Sequence, residues 1–422
     1  MKKNLWVKIF AVALVLMCVL TLAACNKEET PDNMKGYENL DKDLADKAEK
    51  GETSKGLIFK KQKAGDVEGY FVSGMGECTD TVVIIPNEYE GLKVIGIAAN
   101  AFKKSDVAIT QVYIPDSITS LKHHAFAGCA SLEFVKIPDT VTEMGSNTFE
   151  GCESLKQVYI GKGITELPQN AFSGCKSLEA ALLADTNVTK VGNNAFYGCE
   201  GMIKLTLGNA LTVIGDNAFE NCKTIARITI PDSVTAFGKE IFKGCSALGE
   251  VHFSSTMTEV PVGMFYNCTT LQKFEIPSNI TVICEDAFRG CESITKLKLD
   301  SNIVEVKNSA FMRCTALEEL YISKSVKKWG NFVTYFCKNL AKIQYEGTMK
   351  EYEEIQCLSE PEKGGDIYVV SPNKSLSMYL SVAAKFVECS DGTFDIEAIR
   401  NDLGFNGNID DVPGVEGEEG VE

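Results

Sequence analysis

Sixteen cysteines and three histidines hold most of the chain's potential for nucleophilic, redox or metal chemistry. Cys129, Cys152, Cys175, Cys199, Cys222, Cys245, Cys268, Cys291 and Cys314 recur at intervals of 23 or 24 residues, and Cys337 continues the series. So many cysteines suggest disulfides in an oxidising compartment. In stacked repeats, however, equivalent thiols point the same way, which disfavours the Cβ geometry of a bridge even where Cα atoms are close. The series is therefore expected to be buried free thiols, with Cys78, Cys284, Cys357 and Cys389 off the series and undecided. His123 and His124 are adjacent on an extended or turned segment, so their rings diverge and chelate poorly; a solvated turn is expected. His252 is expected on the exposed face of a strand, without a sequence-local partner. Asp391-Gly392-Thr393 and Asp395 have some calcium-loop character but lack the spacing and terminal glutamate of an EF-hand. No Gly-x-Ser-x-Gly elbow, Walker loop or dinucleotide fingerprint occurs. The residues therefore predict no catalytic constellation, no metal and no cofactor.

The elements that hold these cysteines follow from the same period. Phe126, Phe149, Phe172, Phe196, Phe219, Phe242, Phe265, Phe288 and Phe311 each precede a cysteine by three residues. An apolar residue follows three positions after the cysteine, as at Leu132 and Leu155, and then comes a short alternating run such as Val135-Lys136-Ile137. Alternation with period two marks a half-buried strand. Turn clusters follow at Pro115, Pro138 and Pro231. A unit of 23 residues cannot cover its own apolar face, so neighbours must stack into one continuous core.

The unit Ile230 to Leu248, IPDSVTAFGKEIFKGCSAL, resembles the repeat of BspA-type leucine-rich repeat proteins. The likeness extends over about residues 56 to 355. It includes an entry segment from Gly69 to Leu92 and an exit at Tyr345-Glu346-Gly347-Thr348. It implies an α/β-type solenoid, a right-handed leucine-rich-repeat arc of short parallel β-strands with turns and short helices on the convex side. Ser105, Trp329 and Thr334 depart from the pattern at the ends, where capping units deviate.

Lys2, Lys3 and Lys8 precede an uncharged apolar run from Ile9 to Ala24, a signal-peptide pattern. Leu22-Ala23-Ala24-Cys25 resembles the lipobox of bacterial lipoproteins, which implies lipidation of Cys25 and a lipid-anchored, extracytoplasmic position at the cell membrane. An ordinary secretory signal would leave Cys25 incidental. The domain map is then 1–24 signal peptide, 25–55 flexible tether, 56–101 N-terminal cap, 102–346 repeat solenoid, 347–405 C-terminal cap and 406–422 acidic tail. A short helix around Leu40 to Lys50 is the alternative within the tether. Ile367–Val370 reads as a strand and Leu376–Phe386 as a helix. A formal charge of −16 makes the chain a poor nucleic-acid binder.

Alternation exposes two positions on each strand, and the likeness places the strands on the concave side. There Tyr113, Phe134, Tyr159 and Leu182 are expected to form an apolar-aromatic patch, with Lys136 beside it. Lys204, Arg227, Lys273, Lys296 and Lys298 are expected to form a basic strip able to hold an acidic or sulfated partner. Apart from Leu182, these nine are the candidate ligand-binding residues, and the resemblance implies adhesion or host interaction through an extracellular protein or glycan. A structural spacer without a specific ligand is the second reading. An enzyme with its site in residues 356–405 is the third.

Overall fold

One turn of this chain leaves its backbone donors and its apolar side chains uncovered until the next turn is laid against it. The computed structural model describes residues 35–64, 67–300, 302–358 and 386–395. It shows the repeats as a parallel β-solenoid of about 12 turns with little helix. The chain divides into units of residues 1–47 and 48–422. Helix α1, Lys35–Glu49, lies where a flexible tether was expected, so this stretch takes the helical alternative. Glu38 and Asp43 each stand four residues before a lysine, the favourable order for a helix, among good helix formers. The signal segment and Cys25 lie outside the described residues.

Most turns of the second unit contribute two short strands; the turn at Lys273 has only an isolated bridge in the first row. The first row starts at Val82–Ile84 and passes through Gln111–Tyr113, Phe134–Lys136 and Gln157–Tyr159 towards Lys342–Tyr345. The second starts at Leu92–Ile97 and passes through Ser120–Leu121 and Glu143–Met144 towards Lys328–Gly330. Pairing within both rows is parallel and in register, Val112 with Val135 and Leu121 with Met144. Central strand residues such as Val135, Ile228 and Val251 point into the core.

The third side carries the Phe-x-Gly-Cys segment, and the short helices expected on the convex side are not found among the described repeats. The chain is instead turned twice by residues in the left-handed region. Asn147, Asn170, Asn194 and Asn217 have φ between 54° and 61°, and Gly151, Gly174 and Gly198, four residues on from the first three, have φ between 68° and 74°. Two such residues interrupt any helix, and asparagine and glycine adopt them at least cost. A Cβ on Gly151 would meet nothing nearer than 3.8 Å, so glycine is needed there for its dihedral and not for space. The turns still pair between repeats: Phe126 N–H donates to the Thr148 carbonyl at 2.9 Å and Gly128 N–H to Glu150 at 2.6 Å.

Inside, the phenylalanines form one column. Ring centroids from Phe102 to Phe311 stand 5.0 to 5.9 Å apart with nearly parallel planes, an offset stack. Beside them, each thiol donates to the carbonyl of the phenylalanine one repeat back: Cys152 to Phe126 at 3.3 Å, Cys222 to Phe196 at 3.3 Å and Cys245 to Phe219 at 3.2 Å. Thr334 takes the Phe position in the last repeat and is fully buried, as is the large Trp329 of the adjoining second-row strand.

The C-terminal segment continues both rows. Gln356–Leu358 pairs with Lys328–Gly330, and Phe386–Cys389 pairs with Lys342–Tyr345 before turning back antiparallel into Gly392–Asp395. Before Gln356 lies α2, Met349–Glu353, with a capping box of Thr348 and Glu351. The strand expected at 367–370 and the acidic tail lie outside the described residues. So does the helix expected at 376–386, except for Phe386, which opens a strand.

Phe219→Ala and Phe242→Ala are each expected to cost about 3–5 kcal/mol in denaturant unfolding. Cys222→Ala should cost about 1–2 kcal/mol, because it opens a small void and removes a donor from a buried carbonyl. An unchanged midpoint for the phenylalanine variants would contradict the stacked column.

Candidate functional site

The first strand row presents the candidate residues in two columns. Parallel in-register pairing places Lys136 beside Tyr159 and Arg227 beside Glu250, with Thr229 beside His252. It also places Lys296 beside Glu319 and Lys298 beside Tyr321. Tyr113, Lys136 and Tyr159 are half-buried, whereas Lys204, Arg227, Lys273, Lys296 and Lys298 are exposed. The Tyr159 hydroxyl donates to Asp139 at 3.4 Å.

Phe134 corrects the sequence reading. It is only 7% exposed, so it adds no open aromatic surface. Its in-register neighbours are Gln111 and Gln157, and at a strand spacing of about 4.8 Å their side chains flank the ring on both sides. The basic strip is also less uniform than composition suggested. Arg227 pairs with Glu250 at 3.1 Å, Lys296 with Glu319 at 3.0 Å and Lys298 with Asp300 at 2.7 Å. Hydrogen bonding to Asp300, then its charge, raises the Lys298 pKa. Lys204 and Lys273 have no ion pair among the described residues. His252 does have a local partner, against expectation: its Nε2 lies 3.0 Å from Glu250, two residues back on the same face of the strand. Lys342 extends the basic column, pairing in register with Glu319, and was absent from the expected set although its strand position is periodic.

The family model for the BspA type leucine rich repeat region matches residues 95–186, 181–295 and 258–359, in six copies. The chain belongs to the BspA-type leucine-rich repeat family. Among solved structures it is similar to a leucine rich cell surface protein of Faecalibacterium prausnitzii, at 23% identity over 73% of this chain and 98% of that one, with a TM-score of 0.45. A leucine-rich repeat protein of Bacteroides ovatus matches at 22% identity over 71% and 98%, with a TM-score of 0.49. The pneumococcal vaccine antigen PcpA matches at 19% over 70% and 77%, with a TM-score of 0.45. No curated protein matches the chain. No helix of the described residues is long and apolar enough to cross a membrane.

The remaining chemical residues of this BspA-type chain serve its repeats. Burial pushes the Cys129 and Cys245 thiols up to about 12 and raises those of Cys152, Cys175, Cys199, Cys222, Cys268, Cys291 and Cys314 as well. A thiol kept protonated is a poor nucleophile and metal ligand. His123 Nδ1 accepts the Ser146 N–H at 2.9 Å, one repeat on, as Asn193 Oδ1 accepts Asp216 N–H at 3.0 Å in a later turn. His124 occupies the left-handed position with φ 57°; burial, then Lys103, lowers its pKa. Asp391 accepts the Met349 N–H at 2.8 Å and so caps α2. Among the described residues no group of three or more histidine, cysteine, aspartate and glutamate side chains could hold a metal ion.

Two stability measurements follow. His124→Gly should stabilise by about 1 kcal/mol, since left-handed backbone costs a side chain with Cβ about 1–2 kcal/mol, and Asn194→Ala should destabilise by about as much, since the short polar asparagine side chain offsets that cost by bonding locally and alanine cannot. The raised thiol pKa values also predict alkaline sensitivity. Their contribution is complete below an unfolded thiol pKa of about 8.5, and it falls as pH rises towards the folded values. The urea midpoint should therefore hold between about pH 6 and 8 and drop steeply above about 9, by up to about 1.4 kcal/mol per pH unit for each thiol that ionises only on unfolding. A flat profile to about pH 10 would contradict the burial.

Proposed function

We propose that this protein is a lipid-anchored bacterial surface protein, held extracytoplasmically through Cys25, that binds an extracellular protein or glycan on its first strand row. One observation carries the reading. The first row holds half-buried Tyr113 and Tyr159 near one end and exposed cations from Lys204 onward. Amphipathic aromatics beside a charged surface suit an interface with an aromatic anchor and a polar rim. Membership of the BspA-type family and the lipobox-like Leu22-Ala23-Ala24-Cys25 support the surface position. Buried Phe134 takes no part. Lys136, between the two tyrosines in the register, supplies their polar neighbour.

A spacer role is the second reading, favoured by the three ion pairs that partly neutralise the basic strip. Binding tests separate the two. Tyr113→Ala with Tyr159→Ala should weaken a ligand by about 2 kcal/mol or more, mainly through faster dissociation. Charge reversal at Lys296 and Lys298 should slow association and flatten its salt dependence. A ligand indifferent to both double variants binds elsewhere. For the anchor, metabolic fatty-acid labelling should disappear in Cys25→Ala; unlabelled wild-type protein released to the medium would refute it.

A further inference from the structure

We propose that the middle of this row is a track for a linear polyanion, a sulfated polysaccharide chain lying along the stacking direction. The proposal rests on the binding role given above and names its partner. The first position of successive strands reads Lys204, Arg227, Glu250, Lys273, Lys296, Glu319 and Lys342. Register holds these residues in line, Arg227 to Glu250 to Lys273, and Lys296 to Glu319 to Lys342. Among the described residues, hydrogen-bonded pairing is interrupted between Lys204 and Arg227 and between Lys273 and Lys296, so the cations lie in short in-register runs within which neighbouring strands stand about 4.8 Å apart.

The two acids do not cancel the row. Glu250 already takes Arg227 at 3.1 Å and His252 at 3.0 Å, which leaves Lys204 and Lys273 on either side of that group without an ion pair among the described residues. From Lys204 to Lys296 the positions beside the row are Ile203, Ala226, Gly249, Gln272 and Thr295, none of them acidic and several of them small, and the exposed acid Glu318 stands beside Glu319 only further along. Ile203 is 61% exposed and offers an apolar step next to Lys204. On the other side Thr206 and Thr229 supply hydroxyls for sugar oxygens next to His252, and the one acid on that flank up to Lys298 is the exposed Glu275, two residues after Lys273.

A row of cations at fixed pitch suits an extended chain that repeats its own charge, since each cation then meets an anionic group without bending the ligand. The net charge of −16 makes the track selective. Away from the row the protein repels polyanions, so productive contact is confined to it. Attraction of this kind weakens with salt, because the Debye length falls from about 10 Å at 0.1 M to about 3 Å at 1 M.

The test uses the full chain with a heparin-derived oligosaccharide, its desulfated counterpart and polyphosphate as probes, at low and at high salt. The sulfated oligosaccharide should bind, weaken at least about tenfold in high salt, and lose at least about tenfold in Lys204→Glu with Lys273→Glu. Lys162→Glu with Lys239→Glu makes the same change of charge at exposed positions off the row and should bind as the wild type does. Circular dichroism melts of both variants should match the wild type. Tighter binding of polyphosphate than of the glycan, with the same loss in the row variant, would keep the track but assign it to a phosphate polymer. The proposal is overturned if no probe binds, if the desulfated glycan binds equally, or if both double variants weaken binding alike. A protein ligand lost with Tyr113 and Tyr159 but indifferent to Lys204 and Lys273 would overturn this inference while leaving the surface-binding role intact.

Discussion

The in-register backbone hydrogen bond between one turn and the next is the constraint on which the rest of this solenoid depends. It links the strands of both rows and, through pairs such as Phe126 with Thr148, the turns of the third side as well. A buried backbone group without a partner is costly, so each turn completes its neighbour. Register then does what a packed core does in a globular domain: it assigns every side chain a fixed neighbour in a column. The phenylalanine stack, the thiol ladder and the row from Lys204 to Lys342 all result from that translation.

Cysteine illustrates how a repeated position can require more than size. The Phe carbonyl of each repeat accepts the N–H of its own cysteine, as Phe126 does from Cys129 at 3.1 Å, and also the thiol of the next repeat, from Cys152 at 3.3 Å. A small apolar side chain would fill the space but leave one acceptor site without this donor. A thiol is apolar enough for a dry interior and still donates weakly. The same burial that makes it suitable suppresses its reactivity, so a chain rich in cysteine presents a chemically quiet core.

Translation also shapes the surface. Acids and bases one period apart become ion pairs, as for Lys156 with Glu133 and Lys223 with Glu200 at 3.0 Å each. Pairs this exposed contribute little to stability. Their effect is on the field: they neutralise much of the surface locally, whereas the exposed Lys204 and Lys273 have no ion pair among the described residues.

The period alone determined the solenoid and the inward phenylalanines and cysteines, because hydrophobic spacing is a one-dimensional property of the chain. The tertiary structure decided what depends on neighbours 23 residues away. Sequence placed Phe134 outside by alternation, but its burial depends on Gln111 and Gln157 in the adjoining strands. His123 and His124 read as solvated polar residues, yet one accepts a backbone N–H of the next repeat and the other sits at a left-handed turn. Turns took the place of the expected helices because residues at two fixed positions reverse φ, asparagine and glycine in many repeats but His124, Glu240, Ser309 or Arg313 in others, a signal interpretable only once the backbone was folded. The basic strip likewise became a row with specific gaps only when register put Glu250 and Glu319 between its cations.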